Sequence, residues 1–131
     1  MAEELILIIE DNEKNRKLMR DVLQVKGYRT VESETAEEGL RLAGTLAPAL
    51  ILMDIHLPGM NGIEALGMLR TDPVTRDIPV MAVTASVMPQ DRKMVTAAGF
   101  DAYQSKPINV KEFLTAIRET LNRPRKAGKL Q

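Results

Sequence analysis

Carboxylates, a hydroxyl and an ammonium follow separate apolar stretches of this 131-residue chain. Glu10 and Asp11 follow the first such stretch, and Asp54 closes a later run of Leu-Ile-Leu-Met. Thr84 and Lys106 follow two further stretches. If these stretches are parallel strands of one open sheet, their carboxyl ends meet at one edge, where such sheets bind their ligands. We therefore expect the five side chains to converge, although they lie far apart in sequence.

These residue types indicate phosphoryl chemistry. Three carboxylates in one pocket repel one another, so their full ionisation requires a counter-charge. A hard divalent ion such as Mg²⁺ takes oxygen ligands from carboxylates, backbone carbonyls and water, and Lys106 would supply a second positive charge. An oxygen of Asp54 would then attack phosphorus while the cations neutralise the phosphoryl oxygens. The interpretation is that Asp54 accepts a phosphoryl group, and that the Thr84 hydroxyl bonds to this group once it is attached.

Five segments have the composition of strands. The first, third and fourth are apolar throughout, which is typical of strands covered on both faces, whereas the second and fifth are mixed, which is typical of sheet edges. Strand order 2-1-3-4-5 places the three apolar strands in the middle, with the point where strand order reverses between strands one and three. The predicted strands are Leu5–Ile9, Tyr28–Ser33, Leu50–Met53 closed by Asp54, Val80–Val83 closed by Thr84, and Phe100–Ser105.

Five helical segments alternate with these strands, so the crossovers are expected to be right-handed and the sheet parallel. The predicted fold is a flavodoxin-like, doubly wound (βα)5 domain. The first helix is expected to carry its apolar stripe at Leu18, Val22 and Val25, with Met19 and Leu23 beside it. The later helix limits are predicted from capping patterns and from glycine and proline: the caps Thr35, Asn61 and Asn109, and the breaks at Gly27, Pro48, Asp72-Pro73, Gly99 and Arg123-Pro124.

Composition excludes several other kinds of protein. With 18 basic and 18 acidic residues the formal net charge is zero, which argues against a dedicated nucleic-acid binder. Without cysteine, and with one histidine, neither a thiol site nor a histidine-rich metal site can form. No apolar run approaches the ~20 residues of a membrane span, and the N-terminus lacks the layout of a signal peptide. We therefore expect a cytoplasmic protein with one domain at 1–122 and a flexible basic tail at 123–131.

The sequence resembles a response-regulator receiver domain from about Glu4 to Asn122. The motifs that carry the resemblance are Ile9-Glu10-Asp11-Asn12, Leu52-Met53-Asp54-Ile55-His56-Leu57-Pro58-Gly59-Met60-Asn61-Gly62, Val83-Thr84-Ala85 and Ser105-Lys106-Pro107. Together they are far more specific than any one alone. Glu10 stands where many relatives have aspartate, a variant that keeps the metal site plausible.

The resemblance implies roles for particular residues. Asp54 would be the phosphoacceptor, and Lys106 would pair with the acyl phosphate. Mg²⁺ would be ligated by Asp11, Asp54 and the backbone carbonyl of His56, with Glu10 helping through water. Thr84 and Tyr103 would form the switch pair, and the Lys106–Pro107 bond would be cis.

The resemblance also implies partners. A histidine kinase or a histidine phosphotransfer protein would donate the phosphoryl group, and a downstream protein would read the face formed by the fourth helix, fifth strand and fifth helix. The chain most resembles single-domain regulators of the cell-fate type, acting as a monomer or weak dimer. His56 and Ser86 stand at positions that influence phosphoryl lifetime in this family, although the sign of their effect does not follow from the sequence.

Three other functions fit these residues less well. A haloacid-dehalogenase-type phosphatase would need a second aspartate two residues after Asp54, where His56 stands, and a cap domain. A flavodoxin-like flavin carrier would need a hydroxyl-rich phosphate loop and stacking aromatics, but the loop is acidic and aromatics are only 3%. A receiver fold that serves only as an unphosphorylated docking module is disfavoured by the intact set of five residues and stays an alternative.

Overall fold

The computed structural model describes residues 4–85 and 89–123, leaving aside the side chains of residues 89–92. Five strands alternate with five helices: β1 (Leu5–Ile9), α1 (Glu13–Val25), β2 (Arg29–Ser33), α2 (Ala36–Leu46), β3 (Leu50–Asp54), α3 (Gly62–Thr71), β4 (Val80–Thr84), α4 (Pro89–Ala98), β5 (Ala102–Ser105) and α5 (Val110–Asn122). Residues 124–131 of the predicted tail lie outside this description, as does Ser86. Among the described helices, none has the length and apolar character needed to cross a membrane.

All strand pairs are parallel, and the sheet order is β2-β1-β3-β4-β5. The predicted fold class and strand order are therefore confirmed. The reason is visible in burial: every residue of β3 and β4 is buried, whereas the two edge strands β2 and β5 are only partly so. The central strands β3 and β4 carry almost no polar side chains, so covering both of their faces with helices removes little polar surface from water.

Side chains alternate along the strands, so the sheet separates two apolar layers. Leu7 and Met53 point to the layer covered by α2, α3 and α4. Ile8 and Leu52 point to the layer covered by α1 and α5, where Phe113 is fully buried. This sandwich of helices around the sheet fixes the strand ends relative to one another.

The expected stripe on α1 is wrong in part. Met19 and Leu23 are the buried residues of this helix, whereas Val25 is 84% exposed and Leu18 is 39% exposed. Val22 is partly buried against the same layer. Both stripes have helical spacing, and they lie only one residue, or about 100°, apart around the helix. The orientation is decided by packing against the sheet, which the spacing alone does not specify.

The helix caps follow the predicted polar residues. The side chains of Thr35, Asn61 and Asn109 each accept a hydrogen bond from the backbone N–H three residues later. Asn12 does the same for α1, which the sequence reading did not anticipate. At the other ends, Gly27 and Gly99 lie outside α1 and α4 with φ of 93° and 106°, values that favour glycine.

Gly62 allows α3 to begin directly against the backbone of Asp54. Its N–H donates to the carbonyl oxygen of Ile55 at 2.9 Å. A Cβ atom added at Gly62 would lie 2.7 Å from the backbone oxygen of Asp54 and 2.9 Å from the Cα of Ile55. Because both neighbours are backbone atoms, neither can yield without moving the end of β3.

We predict that Gly62→Ala destabilises the protein by about 2 kcal/mol through this overlap. Gly67→Ala is the matched control, because it lies in the same helix and a Cβ there meets no atom within 4 Å. The control should gain about 0.5–1 kcal/mol from helix propensity. Urea unfolding of both variants measures the difference, and equal effects of the two substitutions would contradict the close approach.

Candidate functional site

The carboxyl ends of the strands bring the predicted residues to one edge of the sheet. Asp54 and Thr84 are the last residues of β3 and β4, Glu10 follows β1, and Lys106 follows β5. One carboxylate oxygen from each of Glu10, Asp11 and Asp54 lies within 4.8 Å of the others. The convergence expected from the sequence is thus observed in the geometry, at the reversal of strand order between β1 and β3.

Glu10 is fully buried. Its backbone N–H and both of its carboxylate oxygens contact neighbouring residues. Its N–H donates to the carbonyl of Ser33 at 3.0 Å, and its Oε2 accepts from the N–H of Asn12 at 3.1 Å. Its Oε1 lies 2.8 Å from Nζ of Lys106. Burial raises the pKa of the Glu10 carboxyl, and the charge of Asp54 adds to this, while the Lys106 ammonium opposes it.

Asp54 accepts two hydrogen bonds, one on each oxygen. The N–H of His56 donates to Oδ1 at 3.0 Å, and Lys106 Nζ donates to Oδ2 at 3.0 Å. The carboxylate is largely enclosed, since its side chain is only 7% exposed. Its two oxygens are therefore already oriented by donors, which is a condition for a nucleophile that must present a defined direction.

Lys106 pairs with two carboxylates at once and is itself mostly buried. Burial pulls the pKa of its ammonium down, but the contacts with Glu10 and Asp54 outweigh that effect and raise the pKa above its usual value. Its backbone N–H donates to the Thr84 carbonyl at 2.9 Å, and the Lys106–Pro107 peptide is cis as expected. The lysine is therefore charged and fixed at both backbone and side chain.

Asp11 and His56 lie at the open side of the site. Both residues are exposed. Asp11 contributes its oxygen to the carboxylate cluster. His56 directs its backbone N–H at Asp54, and its imidazole is not part of the acidic cluster.

Thr84 and Tyr103 lie on the same face of the sheet. Tyr103 pairs in register with Ala82, which precedes Thr84 by two residues on the neighbouring strand, and residues two apart share a face. Thr84 is fully buried, whereas Tyr103 is partly buried against the layer formed with α2, α3 and α4. The two side chains are thus diagonal neighbours beside the site.

The sequence reading missed Arg16. From the second turn of α1, its Nη1 donates to the backbone carbonyl of Glu10 at 2.9 Å, and its Nε donates to Glu32 Oε1 at 3.2 Å. The only signal in the sequence is an arginine five and six residues after a pair of acids, which is too common to be informative. The contact with Glu32 joins α1 to β2, so it can be recognised only once the fold is known.

The residues present fit a hard divalent cation. Three carboxylates face a single described ammonium, and Glu10 Oε1 is buried without a hydrogen bond of good geometry from the described residues. Oxygen-only donors with excess negative charge match the preference of Mg²⁺. Asp11 offers an exposed carboxylate, whereas the carboxylates of Asp54 and Glu10 are largely buried.

Comparison with known proteins agrees with this geometry. The family described as response regulator receiver domain matches residues 6–118. The polar-differentiation response regulator DivK of Brucella ovis is 44% identical over 116 residues, covering 88% of this chain and 94% of DivK.

Solved structures of receiver domains are also similar. One is the receiver domain of a sensor histidine kinase from Pseudomonas aeruginosa PAO1, which has a magnesium ion coordinated in its active-site cleft. Its TM-score is 0.86 at 29% identity, covering 93% of this chain and 100% of that domain. Another is a CheY-like receiver domain protein from Methanospirillum hungatei, with a TM-score of 0.83 at 30% identity over 92% and 95% of the two chains.

We predict that Lys106→Met destabilises the metal-free protein by about 3 kcal/mol at pH 7, because two buried carboxylates lose their counter-charge. The loss should be smaller at pH 5. The pKa of Glu10 is already raised, and without the ammonium it would rise further. The folded state then holds a proton that the unfolded state has released, so stability falls as pH rises above the ordinary glutamate pKa.

Urea unfolding in the presence of a chelator at both pH values tests this prediction. Lys111→Met is the control, because Lys111 is exposed on α5, and its removal should change stability by less than about 0.5 kcal/mol. A loss of the same size at both pH values would mean that Lys106 does not neutralise Glu10.

Proposed function

This chain belongs to the response regulator receiver domain family, and from that premise we propose that it is a phosphorylation switch in which Asp54 accepts a phosphoryl group. The proposal assigns Glu10, Asp11, Asp54 and the carbonyl of His56 to a Mg²⁺ site. It assigns Lys106 to the phosphoryl oxygens and the pair Thr84 and Tyr103 to the conformational response.

One observation carries the proposal. The oxygens of Asp11 and Asp54 lie in one cluster, while Lys106 Nζ lies 3.0 Å from Asp54 Oδ2. A carboxylate that adjoins both a cation site and an ammonium suits phosphoryl transfer, because the transferred group must be met by positive charge. A structural aspartate would need neither the neighbouring acids nor the lysine.

The transfer step follows from these positions. An Asp54 oxygen attacks phosphorus, an O–P bond forms, and the bond from phosphorus to the donor's leaving atom breaks, which gives an acyl phosphate on Asp54. Lys106, which now donates to Asp54 Oδ2, would turn to an oxygen of the new group. Bound Mg²⁺ would neutralise the phosphoryl oxygens during transfer.

The donor in this proposal is a histidine kinase or histidine phosphotransfer protein, and the exchange takes place in the cytoplasm. The chain catalyses only its own phosphorylation and dephosphorylation. The output is a change in the face formed by α4, β5 and α5, read by a protein partner. Redistribution between two existing conformations is sufficient for such a change.

The response would begin at Thr84. A phosphoryl group adds roughly one negative charge and several acceptor oxygens, and Thr84 ends the strand between β3 and β5. Its hydroxyl would turn to the new acceptor, and Tyr103, which packs beside it on the same face, would occupy the space released. Lys106 couples the same event to β5 through its backbone bond to Thr84.

We predict that a small phosphodonor with Mg²⁺ adds one phosphoryl group to the protein, and that Asp54→Asn abolishes the adduct because the amide is not a nucleophile. Intact-mass spectrometry measures the addition. Asp72→Asn, at the exposed C-cap of α3, should leave it unchanged. Wild-type protein that never forms an adduct, with or without Mg²⁺, would favour the docking module, and sustained phosphate release from many substrates would favour a phosphatase.

We predict that Thr84→Val still accepts the phosphoryl group on Asp54 but shows a smaller conformational change in α4 and β5. The reason is that the variant lacks the hydroxyl that would bond to the phosphoryl group. Hydrogen exchange of peptides from α4 and β5, measured before and after phosphorylation, should change less than in the wild type. Thr75→Val is the control, since Thr75 is equally buried but bonds to the Leu69 carbonyl. A full response in Thr84→Val would remove Thr84 from the switch.

A further inference from the structure

Arg16 links the acidic end of β1 to the edge strand β2. Its Nη1 donates to the Glu10 carbonyl at 2.9 Å, its Nε donates to Glu32 Oε1 at 3.2 Å, and its Nη2 lies 3.7 Å from Glu34 Oε2. The side chain is only 13% exposed. Side chains of a helix lean toward its N-terminus, which explains how Arg16 reaches back over the first turn of α1 to the strand end.

The Glu10 carbonyl needs such a donor. Glu10 lies one residue beyond the end of β1, so its N–H still bonds to Ser33, while its carbonyl accepts a hydrogen bond from Arg16 of α1. A buried carbonyl without a partner is costly, and the chain would relieve that cost by rotating the Glu10–Asp11 peptide toward water. Such a rotation would change the direction in which the Asp11 side chain leaves the backbone.

Of the three carboxylates in the cluster, the position of Asp11 depends most on the conformation of its own backbone. Asp54 is held by two hydrogen bonds and Glu10 by Asn12 and Lys106. Asp11 is exposed, so its position in the cluster follows from the peptide that precedes it. Within residues 4–85 and 89–123, the side chain that donates to this peptide is that of Arg16.

We infer that Arg16 is a positioning residue for the Mg²⁺ site: it fixes the Glu10–Asp11 peptide and so holds Asp11 in the geometry that ligates the ion. This inference rests on the metal site assigned under the proposed function. Arg16 itself touches neither the ion nor the phosphoryl group. Residues that orient metal ligands in this way typically alter metal affinity about 10–100-fold when they are removed.

Arg20 provides a matched control. It lies one turn further along α1, and its Nη1 donates to Glu32 Oε2 at 3.2 Å, so both arginines share Glu32. The other described bond of Arg20 goes to Asp21 rather than to Glu10. Arg20→Met and Arg16→Met therefore both remove a partner of Glu32 and keep an unbranched apolar side chain, but only Arg16→Met removes the donor to the Glu10 carbonyl.

The experiment is a calorimetric titration with MgCl₂ at constant ionic strength, on the full chain at a temperature where circular dichroism shows each variant to be folded. Arg16→Met should bind Mg²⁺ about tenfold more weakly than wild type, and Arg20→Met should stay within about twofold. Arg16→Lys, which keeps one donor for the carbonyl, should lie between them and serves in place of Arg16→Met if that variant does not fold.

Phosphorylation kinetics separate positioning from a general structural effect. With a small phosphodonor, the Mg²⁺ concentration for half-maximal rate should rise about tenfold in Arg16→Met, while the rate at saturating Mg²⁺ stays at the wild-type value. Equal Mg²⁺ affinities in Arg16→Met and Arg20→Met, or a lower saturating rate with unchanged half-saturation, would overturn the inference. Wild-type protein that binds no Mg²⁺ would instead refute the proposed metal site and the role of Arg16 with it.

Discussion

The buried contact of Lys106 with Glu10 and Asp54 is the interaction on which the rest of the site depends. Two carboxylates that are almost fully enclosed share one ammonium, at 2.8 and 3.0 Å. Buried charges are costly unless they are paired, so the sheet must hold all three groups in place. They lie at the ends of β1, β3 and β5, and the fold must therefore hold two central strands and one edge strand in a fixed relation.

A separate cluster of hydrogen bonds lies at the amino ends of β4 and β5, away from the site. Arg70 of α3 pairs with Asp101 at 2.8 Å and donates to the carbonyls of Ile78 and Gly99. Asp101 in turn accepts from the N–H of Val80 at 2.8 Å. These bonds tie the starts of β4 and β5 and the end of α4 to α3. The amino ends of β4 and β5 are thereby anchored to α3, away from their carboxyl ends at the site.

Much of this arrangement could be predicted from the sequence because burial on both faces of a strand requires an unbroken apolar run. The runs before Glu10, Asp54 and Thr84 identified the central strands, and convergence of parallel strand ends then placed the site. What the sequence did not specify was orientation around a helix: Leu18 and Val25 have the spacing of a core stripe, but packing selects Met19 and Leu23.

Contacts made by long side chains also could not be predicted from the sequence. Arg16 is informative only once Glu32 and the Glu10 carbonyl are known to lie beside it. Likewise, glycine at Gly62 could be a simple helix start, and its need becomes evident from the 2.7 Å approach of a would-be Cβ to the Asp54 backbone. Both features depend on distances between segments that no periodicity encodes.

In the proposed switch, the charged groups beside Asp54 indicate why the signal would travel toward β4 and β5. On the β1 side the nearest groups are the acids Glu10 and Asp11, and Glu10 is already held by Ser33, Asn12 and Arg16. On the other side are an ammonium and a hydroxyl, Lys106 and Thr84, joined by a backbone hydrogen bond. Mg²⁺ bound by the acids would neutralise the first side, whereas the ammonium and the hydroxyl of the second side would turn toward negative charge added at Asp54. In this proposal the difference between the two sides, rather than any single residue, would give the response its direction.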